Sequence, residues 1–249
     1  TSLTFADSLT SIGDFAFYEC TGLTSLTLPK SLSSIGGGVF GGCSSLTNIQ
    51  VDSENTSFAS ADGALFNKAI TQLICYPAGK PGTTYTVPSG VTSIGESAFQ
   101  TCTSLTSVTL PDSLTTIGNY VFYGCTGLTS LTLPDSLTAI GASAFAGCTG
   151  LTSLTLPDSL TTIEIYVFYG CTGLTSLTLP ESLTSIGEYT FMGCTGLTSL
   201  TLPDSLTSIG YGAFMGCTGL TSLTLPESLT TIGDYAFCDC RSLIRAEFI

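Results

Sequence analysis

Residues 128–150 read LTSLTLPDSLTAIGASAFAGCTG, and residues 151–173 read LTSLTLPDSLTTIEIYVFYGCTG. A chain that writes one 23-residue sentence twice is repetitive by construction, and such a period is sought before any other signal. Cys102, Cys125, Cys148, Cys171, Cys194, Cys217 and Cys240 stand 23 residues apart, and Cys20 and Cys43 keep the same spacing. A Phe sits three residues before each: Phe17, Phe40, Phe99, Phe122, Phe145, Phe168, Phe191, Phe214 and Phe237. A period near 23 lies in the leucine-rich-repeat range.

One copy parses physically. In LTSLTLP the final Leu-Thr-Leu alternates inward and outward, as a half-buried strand does. Pro ends the ladder because it has no N–H to donate. The stretch DSLTTIG is a turn followed by a second short extended piece that buries Leu and Ile. The stretch NYVFYGC suits a single helical or 3₁₀ turn with its Phe inward, and TG turns the chain into the next strand. One such unit buries too little apolar surface to offset its ordering entropy, so each coil must borrow contacts from its neighbours. The expected fold is β-dominated α/β: one leucine-rich-repeat solenoid over residues 1–249, with stacked 23-residue coils, a parallel sheet and short helical turns.

Residues 44–90 break the rhythm, since Cys43 and Cys102 are 59 residues apart. Apolar spacing persists there, so the segment reads as a longer, irregular repeat rather than a linker. GALFN and QLICYP are its two expected extra strands.

The stretch LTSVTLPDSLTTIGNYVFYGC at 105–125 resembles the BspA-type leucine-rich repeat family, whose pattern is Leu-x-x-Ile-x-Leu-Pro followed by Leu-x-x-Ile-Gly-x-x-Ala-Phe-x-x-Cys. The resemblance covers almost the whole chain, including SADGALFNKAITQLICYPAGK, which is similar to a longer repeat in such proteins. Departures are few. Glu164 and Ile165 replace the usual Gly and its neighbour, and Lys30 replaces an acid. The resemblance implies a cell-surface or secreted protein of bacteria or protists, an adhesin that binds host matrix proteins or other cells. It supplies no catalytic residue to carry over.

Composition removes several functions. The net charge is −13 with only five Lys plus Arg, which disfavours nucleic acid and anionic membrane surfaces. No apolar run approaches the roughly 20 residues of a membrane helix. There is no His, the commonest general base at neutral pH. No nucleophile–base pair, carboxylate dyad, phosphate loop or metal motif appears, so neither an enzyme nor a cofactor is expected. CDC at 238–240 has no partner pair and is no metal motif by itself.

What remains are columns. Thr129, Ser130, Thr132, Thr152, Ser153, Thr155, Thr175 and Thr178 face outward from the strands. They serve β-propensity and solubility, or form a hydroxyl surface for a glycan or an extracellular protein, with an ice-binding array as a remote alternative. Asp112, Asp135, Asp158, Glu181, Asp204 and Glu227 occupy one turn position in six successive coils. They are a solvated turn in which Asp caps local N–H groups, or a line of hard-oxygen sites that collects Ca²⁺. The nine ladder cysteines read as small buried hydrophobes with free thiols, because parallel Cβ vectors do not suit a disulfide. Tyr120 with Tyr123, Tyr166 with Tyr169, and Phe15 with Tyr18 are spaced three apart, with Ser143 and Ala146 in the coil between the tyrosine pairs. They are surface packing, or a ribbed flank for sugar stacking or protein contact. Asn55 in NTS fits an N-glycosylation acceptor.

Two functions follow: an extracellular binding or adhesion module, and a structural subunit that stacks end to end. The second rests on TSLTF and RSLIRAEFI, which read as strands without polar caps at either end, self-association covering their apolar edges. A start at Thr1 rather than Met reads as a processed chain or a fragment.

Overall fold

A computed structural model describes residues 2–248 and shows a parallel β-solenoid of stacked 23-residue coils. Each regular coil gives two short strands. In the coil after Leu151 these are Ser153–Thr155, alternating exposed, buried, exposed, and Thr162–Ile163. Both pair in parallel with their copies one period on: Leu154 faces Leu177, and Ile163 faces Ile186. The alternation puts Leu154 and Leu156 inside and Thr155 outside. Pro157 then ends the strand, and its carbonyl accepts from the Leu160 N–H at 3.1 Å.

The expected helical turns are corrected: among the described residues there is no helix. In the NYVFYGC stretch Tyr120 and Gly124 both take left-handed φ, 56° and 68°. The backbone therefore alternates, and its N–H groups split. Tyr120, Phe122 and Gly124 donate to the next coil, to Ala142, Ala144 and Ala146 carbonyls at 2.7–3.0 Å. Tyr123 and Cys125 donate within their own turn, to Tyr120 and Phe122. A helix would direct its N–H groups along its own axis rather than across to the neighbouring coil, and would leave the coils unlinked on this side.

The side chains stack as the backbone does. Phe99, Phe122, Phe145, Phe168, Phe191, Phe214 and Phe237 form one pile with centroid spacings of 5.1–5.6 Å and interplanar angles of 16° or less. The ladder thiols do more than fill space. Cys125, Cys148, Cys171, Cys194 and Cys217 each donate an S–H to the Phe carbonyl of the preceding coil at 3.0–3.1 Å. All eleven cysteines are free.

The irregular segment holds the two expected strands, Ala64–Asn67 and Gln72–Cys75, and an additional one, Phe58–Ala61. These three pair antiparallel in sequence, and Gln72–Cys75 then joins Ser93–Ile94 in parallel. Alternation along Ala64–Asn67 sends Ala64 and Phe66 into the large core and Leu65 into the core of the first coils. Tyr76 takes the place of a Phe, 5.3 Å from Phe99.

Asn55 fastens this segment. It is 1% exposed, and its Nδ2 donates to the Pro29 and Leu32 carbonyls at 2.8 and 2.9 Å. Its Oδ1 accepts from the Ser57 and Phe58 N–H groups. Both hydrogens of the nitrogen that a glycan would occupy are spent inside the protein, so the expected glycosylation at Asn55 is incompatible with this fold.

Candidate functional site

The long-strand face carries the hydroxyl column. Ser130, Thr132, Ser153, Thr155 and Thr178 are exposed there, as are Thr129, Thr152 and Thr175 at the strand entries. The entry threonines differ in kind. Thr129 Oγ1 donates to the Thr106 carbonyl at 3.2 Å, and Thr175 Oγ1 to the Thr152 carbonyl at 3.1 Å. Their hydroxyl protons hold coils together. The mid-strand residues are the ones left to meet a ligand.

One place on this face is different. No ladder joins Ser130–Leu131 to Ser153–Thr155, and none joins Ala139–Ile140 to Thr162–Ile163, so both sheets open between the same two coils. The turn side stays closed there: Ser143, Phe145 and Gly147 still donate to Ile165, Val167 and Tyr169 at 2.7–3.1 Å.

One side chain sets this coil apart from the others. The position after Ile is Gly118, Gly141, Gly187, Gly210 and Gly233 in other coils, and each N–H donates to the Ile carbonyl of the coil before at 2.8–2.9 Å. That approach needs a missing Cβ: a methyl on Gly141 would lie 2.6 Å from the Asn119 nitrogen, and one on Gly210 2.7 Å from the Glu188 nitrogen. Glu164 brings a Cβ to this column. Its coil stands off, and among the described residues the bond from Glu164 N to the Ile140 carbonyl is missing.

The opening is a cavity of about 440 Å³ whose walls include Ser130, Thr132, Asp135, Ser153 and Thr155. A smaller one, about 250 Å³, continues over Ser107, Thr109 and Asp112. The volume of the first lies in the range of small-molecule and side-chain pockets. A lesser gap, in the long-strand ladder alone, separates Ser176–Thr178 from Ser199–Thr201.

The acidic column stays in solvent. Asp112, Asp135, Asp158, Glu181, Asp204 and Glu227 are all exposed, and among the described residues none makes a hydrogen bond or ion pair. The Asp side chains thus cap no local N–H, contrary to expectation; the residue after each acid instead links coils, with Ser136, Ser182, Ser205 and Ser228 donating to the Leu carbonyl one coil back at 2.6–2.7 Å. Among the described residues no three His, Cys, Asp or Glu side chains converge to hold a metal ion, CDC included.

The turn flank carries the aromatic pairs. Phe15–Tyr18, Tyr120–Tyr123 and Tyr166–Tyr169 meet edge to face at 5.6, 6.1 and 5.7 Å. The ladder continues further than the pair spacing foretold. Tyr189 stacks flat on Tyr166 at 5.0 Å, and Tyr211 and Tyr235 follow at 5.1 and 5.4 Å. Tyr189 and Tyr235 lie on the 23-residue column of Tyr166, a signal that a search for neighbours three apart does not collect. Tyr211 hides by shifting one place: Gly212 takes the left-handed φ of 57° that tyrosine holds elsewhere.

Two sheets of short parallel strands, an apolar Leu/Ile/Phe/Cys spine and a 23-residue period define a leucine-rich-repeat solenoid. The chain belongs to the BspA-type leucine-rich repeat family: the model of the BspA type Leucine rich repeat region (6 copies) matches residues 1–77, 78–196 and 161–249. The fold is similar to that of a leucine-rich repeat protein from Eubacterium ventriosum, with a TM-score of 0.90, 31% identity, and coverage of 96% of this chain and 64% of that one. It is also similar to the pneumococcal vaccine antigen PcpA, with a TM-score of 0.57, 28% identity, and coverage of 91% and 54%. The chain thus spans less than two thirds of the length of either protein. No curated protein sequence matches it. No helix among the described residues is long and apolar enough to cross a membrane.

Proposed function

We propose that this chain is a non-catalytic binding or adhesion module that works at the cell surface or outside the cell. It receives an extracellular protein on the long-strand face, with the aromatic flank as a second contact surface. The observation that carries the reading is the opened seam. Around Glu164 both strand ladders give up their inter-coil hydrogen bonds at one seam, and a hydroxyl-lined cavity lies over it on the long-strand face. Loss of local pairing without local compensation is a mark of sites shaped by function rather than stability. Membership of a family of surface repeats and the likeness to a vaccine antigen support the location.

Biolayer interferometry of the purified chain against immobilised fibronectin, laminin and collagen tests this. Saturable binding to at least one of them is expected. Thr132→Arg with Thr155→Arg, both at exposed positions, is expected to weaken it about tenfold or more by filling the cavity mouth with large cations. Silence toward all three, or binding that ignores the arginines, would count against the reading.

A further inference from the structure

The turn flank holds a groove of about 400 Å³, lined by Phe15, Tyr18, Ser97, Gln100, Tyr120 and Tyr123. It exists because the flank loses its bulk there. The second coil carries Gly38 and Gly41 where the first has Phe15 and Tyr18, and the Phe15 ring lies over Gly38. The next coil on this side carries Ser97 and Gln100. Two aromatic pairs therefore face each other across a floor of small and polar residues. All four rings are between 38% and 43% exposed, so their faces are open.

The floor is chemically unfinished. Ser97 and Gln100 are 4% and 3% exposed, yet Ser97 Oγ and Gln100 Oε1 have no hydrogen-bond partner, and neither does Thr101 Oγ1 beside them. Buried polar atoms are nearly always paired, and two of these orphans belong to residues that line the groove, where a ligand would pair them. Gln100 Nε2 donates to the Tyr18 hydroxyl at 2.6 Å, which leaves the Tyr18 O–H free to donate outward.

The surrounding charge narrows the class. None of the five cationic side chains lines the groove, while Asp14, Glu19 and Glu96 are sequence neighbours of its walls and floor. Next to the groove, burial first and the Asp14 carboxylate second push the Glu96 carboxyl above its ordinary range. With no cation on its walls and three carboxylates nearby in sequence, the groove disfavours phosphates and acidic sugars, and its polar floor of Ser97 and Gln100 does not suit a lipid chain.

We infer that this groove binds a neutral saccharide, one sugar face lying on Tyr120 or Tyr18 and its rim hydroxyls completing the bonds of Ser97 and Gln100. A pyranose has the required shape, with C–H groups on its faces and hydroxyls at its edge. Aromatic walls with a few placed polar groups are the common build of such sites. The inference rests on reading the flank as a binding surface, but it uses residues that the long-strand face does not.

Saturation-transfer NMR on the full chain tests it, with galactose, N-acetylglucosamine, lactose and cellobiose as probes and galacturonic acid as the charged comparison. Transfer to ring protons of at least one neutral sugar is expected, and none to galacturonic acid. Tyr120→Ser with Tyr123→Ala copies the small residues that the next coil carries at these positions, Ser143 and Ala146, so folding is retained. This variant is expected to weaken the sugar about tenfold or more, while Tyr235→Ser, on the same flank but outside the groove, leaves it unchanged. Thr132→Arg with Thr155→Arg leaves sugar binding intact even where it abolishes protein binding, so the two readings fail separately. Four silent neutral sugars, or transfer that survives Tyr120→Ser with Tyr123→Ala, overturns the inference. Equal transfer to galacturonic acid overturns the neutral class.

Discussion

Gln100 Nε2 donates to the Tyr18 hydroxyl over 2.6 Å, although 82 residues separate them. This one bond ties the first coil to the coil that follows the irregular segment, over the glycines of the coil between. Tyr18→Phe leaves a buried amide hydrogen unpaired, so a loss of roughly 1–3 kcal/mol is expected. Urea unfolding should show it, together with faster hydrogen exchange in the first two coils than in the coils after Cys102. Unchanged stability would mean the bond contributes nothing net.

Glu164→Gly restores the column residue of its neighbours. Several inter-coil bonds then form, each worth about 1 kcal/mol, against an entropic cost for glycine of about 0.5–1 kcal/mol. A net gain of roughly 1–2 kcal/mol is expected. The amide of Thr152, which lacks the bond that Thr129 and Thr175 make to the coil before, should exchange fast in the parent chain and slowly in the variant. Equal exchange at Thr152 and Thr175 in the parent would contradict an open seam.

Asn55→Ala removes four hydrogen bonds from a buried site and strands the Leu32 carbonyl and two N–H groups, the Pro29 carbonyl keeping its bond from the Leu32 N–H. A loss of about 2–4 kcal/mol is expected, read as a lower urea midpoint. Asn55→Asp should be no better, since a carboxylate cannot donate to the Pro29 and Leu32 carbonyls.

The buried thiols make stability depend on pH. Burial pushes Cys43 up to about 11, and Cys171 and Cys217 up to about 12, from the ordinary 9.0. Below that ordinary value both folded and unfolded chains hold these protons, and the contribution is fully present. As the pH climbs from there through the folded values the unfolded chain ionises first, and the contribution is lost, at up to about 1.4 kcal/mol per pH unit for each thiol. The urea midpoint should fall between pH 9 and 11 more steeply than between pH 7 and 9. At pH 8 a thiol reagent should label Cys20, the one exposed cysteine, quickly, and Cys125 or Cys148 only on unfolding. Rapid labelling of Cys125 or Cys148 in the native protein would refute a sealed spine.

The repeat made much of this legible beforehand. Phe145 and Cys148 could be placed in a shared spine because every copy agrees on them. Cys–Phe spacing does not disclose that the thiol donates to the preceding Phe carbonyl, since that depends on how coils superpose. The turn conformation was masked because Tyr120, Ser143 and Tyr166 are not residues that advertise a left-handed φ; Gly38 and Gly212 in the same column were the clue. Glu164 was visible as a departure, yet its consequence needed the distance between Gly141 and the Asn119 backbone. Asn55 read as a surface sequon because three letters carry no information about burial. The Tyr18–Gln100 bond lay beyond any local pattern, since the irregular segment decides which coils meet.

The most direct measurement is the binding curve of the parent chain and of Glu164→Gly on whichever of fibronectin, laminin and collagen the parent binds. Closing the seam should weaken binding about tenfold or more while the variant stays folded and unfolds at higher urea. Superimposable curves from a demonstrably closed variant would contradict a binding role for the opening at Glu164.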